Sequence, residues 1–93
     1  MNYRMNAGYI ITDSIRVGEM EFVLGVHSTA AHQFVTWACK GGNDYFWGHY
    51  HSDLLSATKD LLERATQELE FCMSERAEAN AHAPEKAPEE PCL

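Results

Sequence analysis

The sequence predicts an α+β domain of order ββββα. Two hairpins form a four-stranded antiparallel meander, one long C-terminal helix packs on one face, and a disordered acidic tail follows. Three observations carry that expectation. Phe34 to Tyr50 holds two aromatic-rich runs around Gly41-Gly42-Asn43-Asp44, and Gly and Asn accept the positive φ of a tight turn. Tyr9 to Val17 and Met20 to Val26 alternate apolar and polar residues around Gly18-Glu19, a two-residue tip with Gly first, as a type II′ turn requires. From Asp53 the apolar period lengthens from two residues to that of a helix.

Residues 1–8 read as a flexible N-terminal arm, 9–76 as the single ββββα domain, and 77–93 as a disordered Glu/Ala/Pro tail. In the first hairpin the turn sets Val17 opposite Met20, Ile15 opposite Phe22, Asp13 opposite Leu24 and Ile11 opposite Val26. One face is then apolar with Asp13 as its polar exception, and the other, with Thr12, Ser14, Arg16, Glu21 and Val23, is mostly wet. Gly25 to Gln33 is small and polar and reads as a loop. In the second hairpin, placing Gly42-Asn43 at the tip sets Cys39 against Phe46, Trp37 against Gly48 and Val35 against Tyr50. A Trp can lie over a Gly that has no side chain of its own. The other side pairs Phe34 with His51, Thr36 with His49, Ala38 with Trp47 and Lys40 with Tyr45.

The helix is expected on the Val35, Trp37, Cys39, Phe46, Tyr50 face. Ser52 reads as its N-cap, and Asp53 adds negative charge at the positive end of the helix dipole. Leu54, Leu55, Thr58, Leu61, Leu62, Ala65, Leu69, Cys72 and Met73 form the stripe expected to dock, with Asp60 and Arg64 as an exposed four-residue pair. Three prolines and repeated Glu and Ala after Ala77 bury too little apolar surface to order the chain.

At 93 residues the chain has room for one small core. Its net charge of −7 is unevenly placed: four acids against three bases up to Ser52, ten against four beyond it. Such a field repels phosphate backbones and anionic membrane surfaces. Met1 to Gly8 is polar and no long apolar run comes after it, so neither a secretory signal nor a membrane span is expected. Three cysteines, an odd number, argue against a disulfide framework and for a reducing cytoplasm. Cys39 and Cys72 fall on core-facing positions, and Cys92 is in the tail.

Several constellations have both a chemical and a plainer reading. His49 and His51 share a strand face, with Asp44 or Asp53 as nearby oxygens, but their spacing matches no closed zinc site. Polar strand residues are the plainer account, and no metal or other cofactor is expected. Cys39 lies on an apolar face, where a thiol is inert rather than nucleophilic. Gly41-Gly42 joins two strands rather than a strand and a helix, which excludes a phosphate loop. No catalytic residues are assigned, and an enzyme is not expected.

The aromatic face of Phe34, Tyr45, Trp47, His49 and His51 has three readings. It is a protein-contact surface, with homodimerisation as one way of closing it; a stacking platform for single-stranded nucleic acid, which the shortage of bases disfavours; or a surface covered by the arm or the His27–Gln33 loop. The acidic helix residues Asp60, Glu63, Glu68 and Glu70 offer a second contact surface, a mimic of phosphates in a basic groove, against the plainer reading of a solvated face.

The run I-T-D-S-I-R-V-G-E-M-E-F-V-L-G, then F-V-T-W, then Y-F-W-G-H-Y, then A-T-K-D-L-L-E-R-A resembles small uncharacterised accessory proteins of phages and conjugative elements of gut Firmicutes. The resemblance spans Ile11 to about Ala65, and W-G-H-Y is its most specific piece. It implies no catalytic residues. It implies a context in which small acidic proteins act by binding a host or element protein. The expectation is therefore a non-enzymatic protein-binding module, accessory or inhibitory, with single-stranded nucleic-acid binding as the alternative.

Overall fold

The computed structural model describes residues 3–79. Five strands and one helix succeed one another: β1 (Met5–Asn6), β2 (Tyr9–Val17), β3 (Met20–Val26), β4 (Phe34–Lys40), β5 (Asp44–His51) and α1 (Leu54–Ala79). The strands form one antiparallel sheet in the order β1-β2-β3-β4-β5. The class is α+β as expected, with five strands rather than four. The extra one comes from the segment expected to be a loose arm, where Met5 and Asn6 pair with Ile10 and Tyr9. The helix continues to Ala79, and the expected tail beyond it lies outside the described residues.

The first hairpin keeps its expected register from Val17↔Met20 through Ile15↔Phe22 to Asp13↔Leu24. An irregularity between Ile11 and Asp13 then shifts the pairing, so that Ile11 meets Gly25 and Ile10 meets Val26. One inserted residue moves the remainder of the strand to the other face of the sheet. Ile11 accordingly leaves the Ile15, Phe22, Leu24 side and packs with Tyr9, Val23 and Trp37.

The decisive register is between the hairpins. Phe22 pairs with Ala38 and Leu24 with Thr36, while Val23 pairs with Trp37 and Gly25 with Val35. The apolar face of the first hairpin is thus continuous with Phe34, Thr36 and Ala38, not with Val35, Trp37 and Cys39. The helix packs on that first side, against Phe22, Leu24 and Ala38, with Ile15, Val17, Met20, Phe34 and Phe46 around them. The expected docking face is the opposite one. It forms a second core of Tyr9, Val23, Val35, Trp37 and Cys39.

That second core is closed by the N-terminal segment and the β3–β4 loop. Tyr9 Oη donates to the His32 carbonyl at 2.7 Å, and Ala30 packs against the cluster. The Arg4 guanidinium forks onto the Glu21 carboxylate at 2.7 and 3.1 Å and lies 5.9 Å from the Tyr45 ring centroid. Burial pushes the Cys39 thiol up, so it stays protonated and unreactive.

In the second hairpin Phe34↔His51, Val35↔Tyr50 and Thr36↔His49 pair as expected. Beyond a register shift the pairs become Ala38↔Phe46, Cys39↔Tyr45 and Lys40↔Asp44, because the turn holds three residues, Gly41-Gly42-Asn43, with both glycines at positive φ. The compensating residue is Trp47, at φ 54°, which a β-bulge turns out of the ladder. Phe46 therefore faces the helix and Tyr45 the other side, as expected, but Phe46 now shares its side with Ala38 and Tyr45 shares its side with Cys39. The Trp37 indole does lie over Gly48: a Cβ added there would meet Trp37 Nε1 at 2.8 Å.

Asp53, rather than Ser52, caps the helix. Its carboxylate accepts from the Ser56 backbone N–H and hydroxyl, each at 2.8 Å, which holds the acid below its ordinary range. The buried stripe of α1 is Ala57, Leu61, Ala65 and Cys72. It is built mostly from small residues that let the helix approach the sheet closely. Leu54, Leu55, Leu62, Leu69 and Met73, expected to dock, are exposed. No helix among the described residues is long and apolar enough to cross a membrane.

Candidate functional site

The structure disperses the expected aromatic face. Phe34 is half-buried against the helix-side core, and Tyr45 lies on the other side of the sheet beside Trp37, 5.8 Å between ring centroids. Trp47 is 70% exposed and stands edge-on to Phe46 at 4.9 Å. His49 and His51 turn toward α1. Among the described residues Phe34, Tyr45, Trp47, His49 and His51 form no continuous platform on one open face. The expected acidic helix face is divided in the same way. Asp60 and Glu68 are half-buried toward the sheet side, while Glu63 and Glu70 face solvent.

Two assemblies replace them. The first joins β4, β5 and α1 through Asp60. Its carboxylate accepts from Thr36 Oγ1, from His49 Nδ1 at 2.9 Å and from His51 Nε2 at 3.3 Å. A carboxylate only accepts, so those two ring nitrogens carry the protons. Thr36, fully buried, also accepts from Arg64 Nη1 at 3.0 Å, and its carbonyl accepts from the same nitrogen at 3.1 Å. The expected exposed Asp60–Arg64 pair is therefore a half-buried one bridged by a threonine hydroxyl. Burial drives the Asp60 carboxyl up, but the bonds from Thr36, His49 and His51 outweigh it and hold the acid below its ordinary value. Burial lowers Arg64, whose guanidinium sits 5.8 Å from the Phe22 ring centroid.

This assembly latches the helix to the sheet. The Asp60 carboxylate, the Thr36 hydroxyl and one nitrogen of each imidazole are engaged with one another. Among the described residues no group of three His, Cys, Asp or Glu side chains is arranged to hold a metal ion. Of the remaining histidines, His27 Nδ1 accepts from the backbone N–H groups of Thr29 and Ala30 at 3.2 and 3.1 Å. It shapes the β3–β4 loop.

The second assembly is the solvent side of α1. Leu55, Leu62 and Leu69 recur every seven residues and Met73 lies four beyond the last, so all four fall within one narrow strip of the helix. They are 82%, 54%, 44% and 51% exposed. Glu63 and Glu70 border the strip on one side together with Lys59, which is bonded to Glu63 at 2.6 Å. Thr58, beside the strip, donates its hydroxyl to the Leu54 carbonyl at 2.8 Å, leaving no dangling donor there on the surface.

Sequence reasoning places His49, His51 and Asp60 among the functional residues without joining them, and it misses Thr36 and Arg64. A signal for Thr36 exists: it is the one polar residue inside F-V-T-W-A-C. The seven-residue spacing of leucines is equally visible, but periodicity alone assigns it to the core. Comparison with protein-family models, with curated proteins and with solved structures returns no match.

Proposed function

We propose that the chain is a non-enzymatic protein-binding module whose contact surface is the solvent side of α1. One observation carries this reading. The helix docks on its own sheet with two alanines, one leucine and one cysteine, and turns Leu55, Leu62, Leu69 and Met73 to water. A helix that served only its own core would do the opposite, since each fully buried Leu or Met side chain contributes roughly 1.5–3 kcal/mol. Aligned apolar side chains with a charged border are the surface that a second helix covers.

The accessory or inhibitory role implied by the resemblance belongs to this proposal, because a module of this kind acts by occupying a partner. Nucleic acid fits less well. The ring platform is broken up, and the exposed strip is apolar with glutamates at its edge.

The reading is tested with a photoreactive phenylalanine analogue at position 62, and at Gln67 on another side of the helix as control. The expected result is one discrete polypeptide adduct from position 62, absent from the control and suppressed by Leu55→Glu. Equal, diffuse labelling from both positions would overturn it.

A further inference from the structure

Resting on the reading of α1 as a contact surface, we infer that the occupant of the strip is a second copy of this chain, its helix antiparallel to the first about a two-fold axis at Leu62. The strip has an internal symmetry of its own. Leu55 and Leu69 lie seven residues to either side of Leu62. Reversing the helix direction about Leu62 therefore places Leu on Leu. An isologous two-fold contact demands such a self-complementary surface. A foreign partner places no such demand.

Charge selects between the two directions. In a parallel pair in register the two-fold axis sets opposite borders of the strip against each other, so Lys59 would lie against the Thr58 border of the partner and not near Glu63. In the antiparallel pair each Lys59 comes within about 3 Å, measured along the axis, of the level of the partner's Glu63. Only the antiparallel arrangement sets this border against itself, and the edge then carries two unlike pairs flanking the dyad. The Thr58 hydroxyl needs no new partner inside the contact, because it is already bonded to the Leu54 carbonyl. The sheet does not obstruct a second helix, since it packs against Ala57, Leu61 and Ala65 on a different side of α1.

The size of the contact sets its strength. From Leu55 to Met73 the strip is about 27 Å long, at 1.5 Å per residue, and one helix diameter, about 10 Å, wide. That is roughly 270 Å² per chain, below the size of a standard specific interface, and the net charge of −7 per chain opposes association. The dimer is therefore weak, with a dissociation constant of about 100 μM or above. Added salt strengthens it by screening the overall repulsion.

Sedimentation velocity over a concentration series, with oxidative cross-linking in a Cys92→Ser background, tests the geometry. Cys39 and Cys72 are buried and do not compete. Leu62→Cys is expected to form a disulfide dimer with itself. Leu55→Cys and Leu69→Cys are each expected to stay monomeric on oxidation when alone and to form a mixed disulfide when combined. Leu62→Glu, which places two carboxylates at the dyad, is expected to weaken association at least about 100-fold. Its circular dichroism should be unchanged, because position 62 is outside the fold's own core.

A chain that stays monomeric to millimolar concentration overturns the inference, and so do self-disulfides of Leu55→Cys and Leu69→Cys, which would mean a parallel pair. Failure of this inference is distinguishable from failure of the broader reading. A monomer whose position-62 photoadduct contains another polypeptide refutes the dimer and keeps the contact surface. A monomer without any discrete adduct refutes both.

Discussion

Removing the Asp60 carboxylate tests whether the polar latch, rather than leucine packing, fixes α1 on the sheet. Asp60→Ala deprives the fully buried Thr36 hydroxyl of its acceptor, and a buried polar group left without its partner costs roughly 1–3 kcal/mol. The bond from the mostly buried His51 adds about 0.5–1.5 kcal/mol. His49 is half exposed and regains water, so it adds little. The expected loss is about 2–4 kcal/mol, a large part of the 5–15 kcal/mol typical of a domain. Urea denaturation monitored by Trp fluorescence measures it as a fall in midpoint at constant m-value. Glu70→Ala, on the solvent side, serves as the control and should stay within about 0.5 kcal/mol.

The same substitution carries a pH signature. Asp60 is held below its ordinary value in the folded state, so its contribution is complete above the unfolded-state value near 3.8. It is lost as pH falls through the lower folded-state value. The stability gap between wild type and Asp60→Asn should close progressively as the pH falls below about 4. A cost below about 0.5 kcal/mol for Asp60→Ala, or a gap that widens as the pH falls below that point, would refute the latch. A double-mutant cycle with Thr36→Val should give a coupling of at least about 1 kcal/mol, since the two residues share one bond.

The same packing sets three further expectations. Leu61→Ala should cost about 2–5 kcal/mol, whereas Leu54→Ala, about half exposed, should cost less than about 1 kcal/mol; equal losses in denaturant would contradict the orientation of α1. Gly48→Ala forces a methyl group to within 2.8 Å of Trp37 Nε1 and should destabilise by about 1–3 kcal/mol, with a shift in Trp fluorescence. An unperturbed variant would mean that the indole is not lodged there. Native-state titration with an aromatic disulfide reagent should find Cys39 and Cys72 slow, because both are buried, and two or more fast thiols would contradict the two cores.

Much of the fold is local and is legible in the sequence for that reason. Each hairpin carries its own turn chemistry, so Val17↔Met20 and Phe34↔His51 can be read from a few residues around each tip. The join between the hairpins is not local. Nothing in Gly25 to Gln33 states whether Phe22 comes beside Ala38 or beside Cys39, and a one-residue difference exchanges the faces of half the sheet. Both choices look acceptable because β3 and β4 are buried on both sides, with Val23 and Val35 as apolar as Phe22 and Leu24. Turn length adds a second ambiguity: Gly-Gly-Asn serves a three-residue turn as well as Gly-Asn serves a two-residue one, and only the bulge at Trp47 reconciles it with the far end of the strand.

The helix defeats sequence reading for a different reason, and that reason bears on function. Periodicity finds the most apolar strip of a helix and assigns it to the core, an inference that holds only when the chain has a single surface to cover. In α1 two strips run side by side. One, of Ala57, Leu61, Ala65 and Cys72, is shaped to fit a sheet that presents Phe22, Leu24 and Ala38 and a threonine bonded to Asp60. The other, of Leu55, Leu62, Leu69 and Met73, has larger side chains and regular spacing but no partner within the described residues. Small residues on the inner strip bring the backbone close enough for Asp60 and Arg64 to reach Thr36. Leu61 is the one large residue there and sits between Ala57 and Ala65; a leucine at either alanine would press the helix away from the sheet and strain the latch. The inner strip therefore has room for one leucine, and Leu55, Leu62 and Leu69 lie on the solvent side.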